Sequence, residues 1–157
     1  MTALEQIAAG LRRLLAPKQT QEPEVRLKAV NRTRGTVLAT NLEVAGTGKR
    51  RQKGLLGRDG LEPGEGLWII PCESVHTFFM RFPIDLVYLD NEHRVRKVRS
   101  SVGAWRLSAC LSAHSVLELP AGTIREAETQ RGDQLGLEPV ELEPASPESK
   151  LGEGAKS

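Results

Sequence analysis

Residues 71–95 read PCESVHTFFMRFPIDLVYLDNEHRV, and the apolar runs on either side of Pro83 are dense enough to form buried strands. The alternation predicts a pair of core strands joined near Arg81 to Pro83, followed by a tight turn at Asp90-Asn91-Glu92-His93. Most of Phe78, Phe79, Phe82 and Tyr88 should then lie in the core. A polar group inside such a strand needs a partner, so His76 and Asp85 are the residues that packing alone leaves unexplained.

The same short-strand pattern continues on both sides. Upstream, VRLKAV and TVLAT running into LEVA flank a turn at NRTRG, and LWII forms a strand after the glycine-rich loop DGLEPGEG. Thr47 can cap a helix through GKRRQKGLLGR, intrinsically weak because of Gly54 and Gly57. Downstream, RVRKVRSSV reads as a cationic edge strand, GAWRLSACLSAHS as a loop or a turn of helix, VLELP as a strand, AGTIREAETQRG as a turn with a short helix, and DQLGLEPVEL as a last strand. Links between strands are mostly too short for helical crossovers, which favours antiparallel pairing. The expected fold is α+β: a mainly antiparallel, curled or barrel-like sheet of short strands with one or two short helices.

The ends differ from this body. Leu4, Ile7, Leu11, Leu14 and Leu15 follow helical spacing, so residues 1–24 are expected to form an amphipathic helix and a linker. Residues 25–142 make a single globular domain and residues 143–157 a disordered tail rich in Pro, Glu, Ser and Gly. At 157 residues, with 39% hydrophobic and 27% charged, the chain has ordinary globular composition. No apolar run approaches the roughly 18 residues of a membrane span. The N-terminus lacks the basic start and apolar block of a secretory signal, so the expected location is cytoplasmic. A net charge of +2 is too small for a nucleic-acid-binding footprint, and nucleic acid is not an expected partner.

Five ordered motifs resemble one family: RQKGLLGR at 51–58, GLWI at 66–69, HTFFMRFPID at 76–85, LELPAG at 117–122 and the pair Gly132-Asp133. Together, over about residues 36–140, they are similar to the uncharacterised family known as domain of unknown function 192. The resemblance implies a small strand-rich domain and no established activity. It carries onto Arg51, Gly54, Leu55, Arg58, Met80, Pro83, Ile84, Asp85, Glu118, Gly122, Gly132 and Asp133, with Leu56 departing from a frequent Met in a nearly isosteric way. Many members of that family are exported, but compartment is not inherited without a signal.

Three constellations are candidates for chemistry. Cys72, His76, Cys110 and His114 form two Cys-x3-His pairs on paper suited to zinc. On a strand, however, residues four apart lie about 13 Å from each other, so no metal or other cofactor is expected. The second is a polar site of Arg51, Arg58, His76, Asp85 and Glu118, able to fix a small ligand or, with His76, Asp85 and Glu118 as acid and base groups, to support hydrolase-like chemistry. A buried Arg–carboxylate link would explain the same residues structurally. The third is an anion-binding face on the basic helix, Lys49, Arg50, Arg51, Lys53 and Arg58, though 4% aromatic content offers few stacking platforms. No nucleophile elbow, phosphate loop or dinucleotide fingerprint is present. An accessory domain binding a small molecule or a protein partner is favoured over an enzyme, which stays open, and over an anion binder.

Overall fold

The computed structural model describes residues 25–140. The expected amphipathic helix and the whole of the expected C-terminal tail lie outside the described residues. Among the described residues nine strands and two short helices follow in order: β1 (Arg26–Asn31), β2 (Thr36–Ala45), α1 (Gly48–Lys53), β3 (Glu65–Ile69), β4 (Ser74–His76), β5 (Ile84–Leu89), β6 (Val95–Val102), β7 (Leu107–Ala109), β8 (Ser115–Pro120), α2 (Thr123–Glu126) and β9 (Leu135–Pro139). Seven strands form one sheet in the order β6-β5-β8-β3-β2-β1-β9, while β4 and β7 form a separate ribbon.

The sheet curls into a half-barrel. A bridge between Arg94 and Gln134 joins the outer strands β6 and β9 at one end, supported by Val95 N–H to the Asp133 carbonyl and Leu135 N–H to the His93 carbonyl. Asp133 ties that seam down, accepting from Asn31 Nδ2 (2.8 Å), Gln130 N (3.0 Å) and Arg34 Nε. Pairing is antiparallel throughout except for β2 and β3, which run parallel. Parallel neighbours need a crossover, and the α1 segment supplies it.

Two cores occupy opposite faces, which explains why all six residues of β5 are buried. Val87 and Leu89 pack inside the curl with Leu42, Leu117, Leu119, Ile124 and Leu135. Ile84, Leu86 and Tyr88 pack outside with Leu55, Leu67, Ile69, Val75 and Val116, under the β4–β7 ribbon and the chain after α1. Successive strand residues alternate between faces, so one strand feeds both cores.

Several sequence expectations change here. The VHTFFM strand stops at His76, and Phe79 sits at φ +63° with its ring exposed rather than in the core. The strands β4 and β5 are therefore not a core hairpin; β4 pairs instead with β7, which arises inside the segment read as loop or helix. The basic helix is also shorter than its pattern, because Gly54 at φ +47° ends it at Lys53.

Candidate functional site

The parity that splits the two cores also separates the two candidate carboxylates. In the β5–β8 register Asp85 lies opposite Leu119, and Glu118 opposite Leu86. Leu119 belongs to the inner core and Leu86 to the outer one, so Asp85 faces inward and Glu118 outward. They cannot act on one ligand.

Asp85 is consumed by backbone. Its Oδ1 accepts from Ser101 N (2.8 Å), where a register shift in the β5–β6 ladder leaves that donor without a strand partner, and its Oδ2 accepts from Gly122 N (3.1 Å) and Ile124 N (2.8 Å) at the start of α2. It is fully buried. This is a brace between bulge, strand and helix, with no oxygen turned toward solvent.

Glu118 is the opposite case. Its side chain is buried, Oε2 is enclosed, and no hydrogen bond reaches that oxygen from any described residue. Burial drives its pKa up from 4.5 to about 7, against the weaker pull of the Arg58 charge. Leu117 and Leu119 are inner-core residues, so β8 must present Glu118 outward, where the turn after α1 covers it: a Cβ on Gly54 would lie 3.7 Å from Oε2. A cavity of about 300 Å³ opens beside the carboxyl. Leu55, Leu56, Ile69, Val75 and Met80 supply apolar walls, Arg51 and Lys53 come from α1, and Cys72 and His76 lie on the side toward β4.

The remaining candidates divide around this cavity. Arg51 lines it, with Nη1 donating to the Gly46 carbonyl (2.6 Å). Arg58 is turned away and held in a two-point pair with Glu43, at 3.1 and 2.9 Å. His76 is exposed and stacks on Phe78 at 5.2 Å between ring centroids, without a carboxylate partner. Burial holds the Cys72 thiol above its ordinary value, which makes it a poor nucleophile. Cys72 and His114 do meet, but through backbone, Cys72 N–H donating to the His114 carbonyl. Among the described residues no group of three or more His, Cys, Asp or Glu side chains is arranged to hold a metal ion. The site residues that carry a resemblance without obvious chemistry, Gly54, Leu55 and Met80, turn out to be the wall and lid of the cavity.

Residues 29–137 match the model of the DUF192 family, described as an uncharacterised ACR. A UPF0127 protein of Thermococcus kodakarensis is 30% identical over 118 residues, covering 71% of this chain and 74% of its own. A second, from Thermococcus gammatolerans, is also 30% identical over 118 residues and covers 76% of its own length. Two crystal structures share the fold at a TM-score of 0.64. One is a Sinorhizobium meliloti protein designated a candidate transcription regulator (20% identity, 73% of this chain and 93% of that one), the other a Novosphingobium aromaticivorans protein of unknown function (21% identity, 71% and 84%). With the family pattern matched across the whole half-barrel, this chain belongs to the DUF192 family.

Proposed function

We propose that the chain is a small ligand-binding domain whose site is the cavity between α1, the β3–β4 connection and β8. The observation that carries this reading is the orphaned Oε2 of Glu118 beside a hollow of about 300 Å³. A buried carboxyl without a partner is costly unless something else satisfies it, and native proteins leave few such groups. A ligand with a hydrogen-bond donor at one end and a compact apolar body would complete the site: the donor meets Glu118 and the body meets Leu55, Ile69, Val75 and Met80. Arg51 and Lys53 would favour a polar or anionic group at the ligand's outer end.

An acid–base reading draws on the same carboxyl, since a pKa of about 7 suits proton transfer at neutral pH. It lacks the rest of a mechanism. His76 has no carboxylate to orient it, Asp85 faces the other core, and the Cys72 thiol is held in its protonated form.

Isoamylamine, isoamyl alcohol, isovaleramide and isovalerate share one branched body and differ in the head group. At about pH 8.5, where Glu118 is ionised, the first three should raise the melting temperature of the wild-type protein and isovalerate should not. Glu118→Gln should abolish the effect of the amine. Equal stabilisation by isovalerate, or an unchanged response in the variant, would overturn the assignment of Glu118 as the fixing group; no response to any head group would overturn the site.

A further inference from the structure

The β4–β7 ribbon carries a surface that the cavity does not use. Along β7, Leu107 and Ala109 point outward, and Leu111 follows in the same alternation within the next turn; Leu107 is 71% exposed and Leu111 85%. At the other end Phe79 is 72% and Trp105 58% exposed, their rings 4.7 Å apart, with Phe78 5.6 Å from Trp105. Large apolar side chains thus recur along one side of the ribbon, with the exposed Ser74 and His76 of β4 opposite Ala109 and Leu107.

It is also rigidly built. Thr77, almost wholly buried, donates from Oγ1 to the Gly103 carbonyl (2.7 Å) and accepts from Arg106 N (2.9 Å), while its backbone pairs with both Trp105 and Arg106. Phe79 at φ +63° and Trp105 at φ +61° adopt a left-handed conformation that non-glycine residues seldom take. Buried hydrogen bonds are thus holding two large apolar side chains out toward solvent in strained backbone. Hydrophobic burial by itself would do the reverse.

The rim is cationic. Arg106 is exposed beside Trp105, Lys97, half-buried, reaches the Ala109 carbonyl with Nζ (2.7 Å), and Arg96 lies between Ser112 and Asp90, 4.0 Å from the Asp90 carboxylate. Residues 103–114 contain no carboxylate, and Glu73 is the one acidic side chain in residues 72–82.

We propose that this strip docks the protein on the surface of an anionic lipid bilayer, with Phe79, Trp105, Leu107 and Leu111 entering the headgroup region and Lys97, Arg96 and Arg106 meeting lipid phosphates. Aromatic side chains favour that interface, and each cation near an anionic surface adds attraction. Neither a purely apolar partner nor a polyanion matches both the strip and its rim.

Co-sedimentation of the full chain with vesicles tests this. Binding is expected to phosphatidylcholine vesicles containing phosphatidylglycerol, to weaken with salt, and to be much lower on phosphatidylcholine alone. Phe79→Ser, Trp105→Ser and Leu107→Ser should each reduce the partition coefficient roughly tenfold, the effect of withdrawing one large apolar side chain. Arg106→Gln, which leaves the apolar strip intact, should lower binding to anionic vesicles only. Three results overturn the proposal: no binding to anionic vesicles, binding that survives the Phe79→Ser/Trp105→Ser double variant and so lies elsewhere on the chain, or sedimentation-velocity dimers that the same double variant dissociates, which would make the strip a contact between two copies.

Discussion

Replacing Glu118 by Gln keeps the shape of the side chain and removes its charge, which makes it a direct probe of the buried carboxyl. The pKa of Glu118 rises from 4.5 to about 7 in the folded protein, chiefly through burial. A raised folded pKa means that the native state holds its proton where the unfolded chain has released it. Stability from this group is therefore fully present below about pH 4.5 and is lost as pH rises toward and through 7. A shift of this size corresponds to about 3 kcal/mol across that window. Gln has nothing to ionise. In urea denaturation at about pH 5 and about pH 8.5, wild type should lose up to about 3 kcal/mol more than the variant on going to the higher pH, or roughly 10 °C in melting temperature. Other titrating groups, such as His93, whose pKa burial lowers, are common to both proteins and cancel in this difference. Any fixed cost of seating the amide cancels as well. Parallel pH profiles for the two proteins would refute the picture of an enclosed, unpartnered carboxyl. A ligand whose cation neutralises Glu118 should also flatten the wild-type profile, which links this measurement to the binding reading.

Asp85→Asn should behave in the opposite sense: one carbonyl oxygen cannot accept all three backbone donors, so a loss of about 2–4 kcal/mol is expected at neutral pH, and a loss under 1 kcal/mol would contradict the bracing role. For Asp133, burial opposes ionisation, but the donors from Asn31, Gln130 and Arg34 prevail and hold its pKa below the usual carboxylate value. Its contribution is present above about pH 4 and disappears as pH falls through the lowered value, so Asp133→Asn should be less stable at neutral pH and show a shallower acid transition. Gly66→Ala would set a Cβ 2.8 Å from Leu119 Cδ2, 3.0 Å from Leu42 Cδ1 and 3.1 Å from the Glu118 carbonyl; a cost of about 1–3 kcal/mol is expected by thermal denaturation, and a neutral result would show that this inner-core contact can relax.

Much of the fold was legible because it depends on local pattern. The strands around VRLKAV, LWII, IDLVYL, VRKVRSSV and VLELP, the start of α1 after Thr47 and the brief helix after Gly122 all follow from periodicity, capping and glycine placement. The half-barrel as a class follows from short links, but the parallel β2–β3 pair does not, since nothing local indicates that the α1 segment is a crossover. The segment VHTFFM shows where composition misleads. Its aromatics look like core, yet Thr77 spends its hydroxyl and backbone on the 103–106 loop, and Phe79 is left outside. That outcome depends on a partner 26 residues away in sequence, which no window along the chain contains.

The candidate site turned on a similar nonlocal fact. Asp85 and Glu118 look alike in sequence, each a single carboxylate in an apolar strand, and both were reasonable ligands. Strand parity decides their fates, but parity identifies a face only relative to a neighbour, and the neighbour is known only once Leu86 is paired with Glu118. A register one residue different would set Asp85 directly opposite Glu118, with both carboxylates on one face of the sheet. The sheet disfavours that slip through the donors it has available: the bulge at Ser101 and the first turn of α2 present backbone N–H groups that the inward carboxylate at position 85 satisfies. With Asp85 pinned inward by those donors and Leu117 and Leu119 committed to the inner core, Glu118 has only the outer face left, and there the chain provides a cavity but no partner.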